Sequence, residues 1–174
     1  MRIKWVRALA LTAAATMVLV GTTVAPAQAG PPTAFERCRD GLAPNQQHNV
    51  SIVGTQSSVV VGSPDQFWAG DVFRIQASGT IHTSALIWDS YQPDGRTGDR
   101  APVGDPAWPG PNLKKFSLVG AFGPDRGNMQ FGNFVFCVQV PSNRATTYLR
   151  MWINDDVTSD NSGQWNISVD HYWV

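Results

Sequence analysis

The sequence predicts an all-β fold, a jelly-roll-type β-sandwich of about eight strands. Short apolar runs alternate with polar residues at a period of two, which is typical of strands that bury one face. Turn residues separate the runs, as in Pro-Asp-Gly at 93–95 and Gly-Pro-Asp at 123–125. No stretch shows sustained helical periodicity. The predicted strands are residues 49–53, 58–61, 72–77, 85–88, 116–121, 131–140, 147–154 and 165–169.

The first 29 residues are predicted to be a secretory signal peptide. Arg2, Lys4 and Arg7 form a basic start, an apolar stretch covers 8–21, and Ala-Gln-Ala at 27–29 fits a cleavage site. The apolar stretch is too short for an ordinary membrane span, and no later run approaches about 18 apolar residues. We therefore expect a secreted, extracellular protein without membrane insertion, whose mature chain begins at Gly30.

Charge and length limit the functions open to the mature chain. The full sequence has 13 basic and 13 acidic residues, and loss of the three basic residues in 1–29 leaves a formal net charge of −3. This balance argues against nucleic acid and anionic membranes as partners, since both favour basic surfaces. The remaining length suits one domain. We divide it into an N-terminal extension at 30–49 and a β-sandwich at 50–174.

The chain has two cysteines, Cys38 and Cys137. In an exported protein an even pair is most simply a disulfide. Cys137 lies in a strand-like run, and Cys38 lies in a short charged segment that suits one helical turn. The bond would tie the N-terminal extension to the strand at 131–140.

Residues 154–161 combine three carboxylates with two side-chain amides in eight positions. Strand-like runs lie on both sides, so this acidic stretch is predicted to be a loop between two strands. Hard oxygen ligands at this density suit Ca²⁺, which takes about 6–8 oxygens. Asp, Asn, Ser and Gly are also the ordinary residues of solvated turns. Composition by itself favours the turn and leaves calcium as the alternative.

The segment at 91–113 differs from the rest of the chain because it contains five prolines and is long. Loops of this length without secondary structure are usually functional or disordered. It carries several charged residues and Trp108. The segment is either a ligand-binding rim at one end of the sandwich or a solvated connection.

The sequence lacks the usual signatures of catalysis. No Gly-x-Ser-x-Gly elbow, His-Glu-x-x-His helix or phosphate-binding glycine loop occurs. The histidines His48, His82 and His171 are scattered. Two facing carboxylates could make a glycosidase, with Asp99 and Asp155 as candidates, but the acidic residues cluster in one loop. We therefore expect that the protein is not an enzyme.

Two blocks of the sequence resemble the small calcium-dependent galactophilic bacterial lectins. The first is Asn-Asp at 154–155 followed by Asp-Asn-Ser-Gly-Gln-Trp at 160–165, which is similar to the closing motif of that family. The second is Gly-Asp-Val at 70–72, in a predicted strand that ends at Gly79. Gly-Asp-Arg at 98–100 is a weaker match. The resemblance covers 50–170 approximately and implies a galactose-binding-domain-like β-sandwich.

The resemblance also implies that calcium is the cofactor and that the acidic loop holds it. Carried over by motif, the ligands are three side chains and two backbone carbonyls: Asp155, Asp160, Asn161, and the carbonyls of Val157 and Thr83. Asp160 stands where the family has Asn, which keeps an oxygen donor. The loop is shorter than in the galactose binders, which makes Asp156 an alternative ligand.

The implied partner is a carbohydrate, with a galactoside among the candidates. In these lectins two sugar hydroxyls complete the calcium shell, and a His-Pro-x-Gln run in the long loop holds another hydroxyl. Here Ala-Pro-Val-Gly at 101–104 keeps only the proline, so galactose specificity is not carried over. The predicted carbohydrate contacts are Asp155, Asp160, His82, Asp99, Pro102 and Trp108.

These observations predict a secreted, non-catalytic, lectin-like protein that binds carbohydrate through calcium, with oligomerisation left open. The missing His and Gln motivate an alternative, in which the chain is a structural or adhesion domain and calcium only stabilises a loop. A hydrolase that uses Asp99 and Asp155 is the third hypothesis.

Overall fold

Two antiparallel β-sheets and a short two-stranded sheet make up the part of the chain described by the computed structural model, residues 30–62, 66–84, 88–143 and 146–174. The predicted signal peptide at 1–29 lies outside these residues. The two main sheets share one apolar core. The prediction of an all-β sandwich is therefore confirmed.

One short helix and eleven strands occur in the described residues. Helix α1 covers Ala34–Arg39. The strands in chain order are β1 Gln46–Val53, β2 Val59–Val61, β3 Phe67–Trp68, β4 Val72–His82, β5 Ser90–Tyr91, β6 Leu118–Phe122, β7 Met129–Gln130, β8 Phe134–Gln139, β9 Thr146–Thr147, β10 Leu149–Ile153 and β11 Ser162–Tyr172.

The larger sheet is organised around β11, with the order β1-β11-β4-β5 and with β8 also paired to β4. Strand β11 pairs with β4 along its full length, from Ser162 opposite His82 to Tyr172 opposite Val72. Strand β1 lies on the other side of β11. Two long strands therefore connect the acidic loop at one end of the sheet to the N-terminal segment at the other.

The smaller sheet has the order β2-β10-β6-β7, and its inner face packs against β11. Trp165, Ile167 and Val169 alternate along β11 and are buried together with Met151 and Ile153 of β10. Complete burial of one such side chain contributes roughly 1.5–3 kcal/mol. This shared core fixes where β10 ends and β11 begins, and so fixes both ends of the acidic loop.

The disulfide between Cys38 and Cys137 is present, as predicted. It fastens α1 to β8, and α1 begins with a capping box between Thr33 and Glu36. The bond lies in a second buried apolar cluster, which consists of Ala34, Cys38, Val72, Cys137 and Tyr172. The segment predicted as an N-terminal extension, 30–49, contains α1 and the start of β1, and its residues 46–49 lie in the larger sheet opposite 168–171.

Most predicted strands overlap observed ones: 49–53, 58–61, 72–77, 116–121, 131–140, 147–154 and 165–169. The prediction at 85–88 falls on 85–87, outside the described residues, and on Trp88, which lies in a turn. Strands β3, β5 and β7 were not predicted, because two residues are too few to show alternation. No helix in the described ranges is long and apolar enough to cross a membrane.

Candidate functional site

The acidic stretch at 154–161 is a loop between β10 and β11, as predicted. Its first residue, Asn154, is fully buried and has a structural role. The Asn154 side chain accepts a hydrogen bond from the Gly110 N–H (2.8 Å) and donates to the carbonyls of Gly110 (3.0 Å) and Lys114 (2.9 Å). Asn154 therefore holds the end of the long loop, 110–114, against the start of the acidic loop.

Asp155 is the buried carboxylate of the site, with 5% of its surface exposed. Its Oδ1 accepts from the Val157 N–H (3.2 Å), and its Oδ2 accepts from Asn161 Nδ2 (2.9 Å). No Lys, Arg or His side chain in the described residues forms an ion pair with it. The pKa of Asp155 is raised to about 6, chiefly by burial; the neighbouring Asp156 also raises it, and the two hydrogen bonds lower it. The site therefore favours a proton or a cation at Asp155.

Asn161 supplies the second buried oxygen of the loop. Its Nδ2 donates to Asp155 Oδ2 and to the carbonyl of Gly54 (3.3 Å). Its Oδ1 is buried and has no hydrogen-bond partner among the described residues. The opposite amide orientation would place Oδ1 against the Gly54 carbonyl, which can only accept, and beside the Asp155 carboxylate. A buried acceptor without a donor is uncommon, and a bound cation or a water molecule can satisfy it.

Thr83, predicted to offer its carbonyl, follows the last residue pair between β4 and β11. That pair joins His82 to Ser162, and the two chains continue from there to Thr83 and Asn161. The Thr83 N–H donates to the carbonyl of Asp89 (2.9 Å), which closes the loop between β4 and β5. The register therefore places Thr83 at the same edge of the sheet as Asn161.

The two remaining acidic residues of the loop differ in their surroundings. Asp156 is exposed, and its carboxylate interacts with that of Asp155. Asp160 is also exposed and forms no hydrogen bond or ion pair with the described residues. The structure therefore brings together Asp155, Asp156, Asn161 and the backbone of Val157, and it does not join Asp160 to this group.

A cleft of about 360 Å³ opens beside Asp155 and Asp156. The acidic loop forms one side of it, and Pro106, Ala107 and Pro109 of the long loop form another. Three further side chains line it that the sequence analysis did not select: Arg126, Arg150 and Trp152. The Arg150 guanidinium lies over the Trp152 ring, 5.2 Å from its centroid, and donates to Ser58 Oγ. Arg150 and Trp152 are two positions apart on β10, so alternation along that strand could have identified them.

Of the predicted carbohydrate contacts, Asp155 lines this cleft as the described residues form it, and the others do not: Asp160, His82, Asp99, Pro102 and Trp108. Trp108 is only 5% exposed; its ring contacts Phe116, and Lys115 Nζ lies 5.3 Å from its centroid. Asp99 is paired with Lys115 (3.3 Å) and Arg96 (3.6 Å). Pro102 is exposed, and His82 is half-buried at the end of β4. The buried Trp108 ring presents little surface to a sugar, because packing within the long loop covers it.

The donor set around Asp155 suits a hard divalent cation. It consists of carboxylate, amide and carbonyl oxygens, which are the ligands that Ca²⁺ prefers. Within the described ranges no group of three or more His, Cys, Asp or Glu side chains is arranged to share one ion. A cation at this loop would therefore depend on the Asn161 amide and on backbone carbonyls as well as on carboxylates.

Comparison with known proteins supports the fold. No protein family matches the sequence, and no curated protein matches it either. Eight chains of known structure match the fold. One is described as "EclA N-terminal domain; PllA-like lectin"; it is 20% identical, the alignment covers 71% of this chain and 94% of that chain, and the TM-score is 0.52. The chain thus shares the fold of a PllA-like lectin domain.

Proposed function

We propose that this chain is a secreted carbohydrate-binding protein that binds its ligand through calcium and performs no chemistry on it. The observation that carries the proposal is the pair formed by Asp155 and Asn161. A buried carboxylate without a cationic partner lies beside a buried amide oxygen without a donor. A bound cation would neutralise the first and satisfy the second.

The calcium ligands would come from the acidic loop and from the neighbouring end of β4. The side-chain ligands would be Asp155, Asn161 through Oδ1, and either Asp156 or Asp160. The carbonyls of Val157 and Thr83 would add backbone oxygens. Calcium bound there would supply a positive centre for the hydroxyls of a sugar, as the resemblance to calcium-dependent lectins implies.

The cleft beside the loop has the chemistry of a saccharide site. Arg126 and Arg150 provide hydrogen-bond donors, and Asp156 and Thr158 provide acceptors. Trp152 is only 9% exposed and lies under the Arg150 guanidinium, so it positions that donor at the cleft. These groups replace the His and Gln of the galactose binders, so the sugar need not be galactose.

Binding without hydrolysis is supported by where the carboxylates lie. Glycoside hydrolysis uses two carboxylates on opposite sides of the scissile bond. Asp155 and Asp156 are neighbours on one side of the cleft, and Asp99 is held by Lys115 and Arg96 away from it. No second carboxylate among the described residues faces Asp155 across the cleft.

A glycan array probed with the mature protein in calcium and in chelator tests the proposal. We expect one or more glycans to bind in calcium and to be released by chelator. Asp155→Asn should lose this binding, while Asp40→Asn, which changes an exposed aspartate at the C-terminal end of α1, should keep it. Calcium-dependent melting without any chelator-sensitive glycan would instead favour the structural or adhesion domain. Release of reducing sugar would contradict the proposal that the protein performs no chemistry on its ligand.

A further inference from the structure

A second cleft lies at the other end of β11, where the strand finishes at Tyr172. It has a volume of about 600 Å³, and we call it the tryptophan cleft. The side chains that line it include Gln46, Gln66, Trp68, Asp71, His171 and Trp173. Strand β11 has 11 residues, and at about 3.3 Å per residue the two clefts are roughly 30 Å apart. The tryptophan cleft is therefore separate from the acidic loop.

Two tryptophan side chains line this cleft, and contacts with neighbouring residues hold both in place. Trp68 is 61% exposed although it belongs to β3, where it pairs with Thr146. The turn after it is closed by two hydrogen bonds, from the Trp68 N–H to Asp71 Oδ2 (3.0 Å) and from the Asp71 N–H to the Trp68 carbonyl (3.1 Å). The Trp173 ring packs on the His171 ring, with centroids 4.5 Å apart. An exposed tryptophan held this firmly offers a ligand a flat apolar surface at little entropic cost.

The polar groups of the cleft are arranged around Asp71. Its Oδ2 receives the hydrogen bonds of His171 Nε2 (2.8 Å) and Trp68 N. Only 7% of Asp71 is exposed, so this carboxylate mainly holds the Trp68 backbone and the His171 ring in place. The side-chain amide of Gln46 lies at the same cleft and can both donate and accept.

The charge of the lining limits the class of ligand. No Lys or Arg lines the tryptophan cleft as the described residues form it. An anionic ligand would meet the Asp71 carboxylate without a compensating cation. A neutral ligand with hydroxyls and one apolar face suits both the aromatic walls and the Gln46 amide. A saccharide ring has this chemistry.

We propose that the tryptophan cleft is a second saccharide-binding site, specific for neutral sugars and independent of calcium. It goes beyond the calcium site at the acidic loop and does not rest on it. With sites at both ends of β11, one chain can bridge two glycans without forming an oligomer.

The test is calorimetric titration of the mature protein in EGTA with a panel of neutral oligosaccharides: cello-, chito-, malto- and galacto-oligomers. We expect at least one of them to bind in EGTA, and Trp68→Ala to weaken that binding by at least about tenfold. Trp68 is largely exposed, so the variant should keep the wild-type melting temperature. Gln46→Ala provides a second variant at the same cleft, with weaker binding expected.

The control is Trp88→Ala, which removes another exposed tryptophan (73%) near the loop that follows β4. It should leave the binding in EGTA unchanged, and Trp68→Ala should leave calcium-dependent binding unchanged. The proposal is overturned if no neutral oligosaccharide binds in EGTA, or if Trp68→Ala binds as well as wild type. Binding of an apolar peptide in place of saccharide would also overturn it. These outcomes are separate from those in calcium, which test the acidic loop.

Discussion

The two ends of β11 each hold a buried aspartate, and the two carboxylates are stabilised differently. At the Tyr172 end, Asp71 accepts hydrogen bonds from His171 Nε2 and from a backbone N–H. At the Ser162 end, Asp155 accepts only from an amide and a backbone N–H, and it has another carboxylate beside it. The amide next to Asp155 also carries an oxygen that no described donor reaches.

This difference indicates which end requires a partner from solution. Asp71 is paired with His171, so this carboxylate needs no cation from solution, although His171 Nδ1 and the Tyr172 hydroxyl at that end also lack hydrogen-bond partners among the described residues. Asp155 gains no comparable compensation from the chain, and its pKa is raised to about 6. Among the buried aspartates of the described residues, Asp155 is therefore the one that forms no ion pair with an Arg or His side chain. The predictions below test this asymmetry.

The largest effect is expected at the Tyr172 end, from loss of the disulfide. Replacing Cys38 and Cys137 with alanine should lower the unfolding free energy by roughly 4–5 kcal/mol, because the closed loop spans 99 positions. Urea unfolding measures this change. The calcium-dependent rise in melting temperature should persist in the variant, since the bond lies far from the acidic loop. Loss of that rise would show that the two ends are coupled.

Calcium should act at the Ser162 end with a smaller but clear effect. A hundredfold excess of calcium over its Kd should stabilise the native state by about 2.7 kcal/mol. Thermal unfolding in calcium and in chelator measures this as a shift in melting temperature. Asp155→Asn should remove the shift, and Asp40→Asn should retain it. An equal shift in both variants would place the calcium elsewhere.

Acid should affect the two ends of the metal-free protein with opposite signs. Burial raises the pKa of Asp155 to about 6, so between its usual value and pH 6 the native state binds more protons than the unfolded state. Its contribution to stability is therefore present at low pH and is lost as the pH rises through 6. Burial lowers the pKa of His48 and His171, so their contribution is present above pH 6.5 approximately and is lost as the pH falls.

Urea unfolding in chelator at several pH values separates these contributions. Asp155→Asn should remove a pH dependence on the order of 1 kcal/mol between pH 4 and 6. His48→Gln should change the pH dependence only below about 6.5. If Asp155→Asn leaves the pH dependence of the unfolding free energy unaltered, burial does not destabilise the Asp155 carboxylate. The chain then gives no reason to expect a cation beside it.

The smallest effects should distinguish the two exposed carboxylates of the loop. Asp156 interacts with Asp155 and Asp160 does not, so Asp156→Ala should weaken calcium binding more than Asp160→Ala. In the metal-free protein either change should alter the unfolding free energy by less than about 0.5 kcal/mol. Calcium titration of both variants decides the order. Loss of most of the binding in Asp160→Ala alone would restore Asp160 to the ligand set, as the family motif implies.

Much of the fold was predictable because alternation is a local signal. Strands β10 and β11 and the loop between them follow from residue pattern, and the disulfide follows from a single cysteine pair. The site was predictable in part, since Asp155 and Asn161 lie close together in the chain. Arg126 reaches the same cleft from a distant loop, and no pattern marks it.

The burial of Trp108 and the tryptophan cleft could not be predicted, because both depend on packing between residues that are distant in the sequence. Trp108 looks available in the sequence because it lies in a Pro- and Gly-rich segment, yet its ring is buried against Phe116 and Lys115. The tryptophan cleft was not foreseen, because Trp68 and Trp173 belong to opposite halves of the chain. Only the pairing of β11 with β4 brings their surroundings together.

The most direct test of the calcium site is calorimetric titration of calcium into chelator-stripped protein, with Asn161→Leu beside wild type. Leucine fills a similar volume and removes the orphaned Oδ1, while the carboxylates of the loop remain. We predict one calcium per wild-type chain, with a Kd no weaker than about 10⁻³ M as in extracellular modules, and at least about tenfold weaker binding in Asn161→Leu. Absence of binding to wild type at millimolar calcium, or equal binding in the variant, would contradict the account.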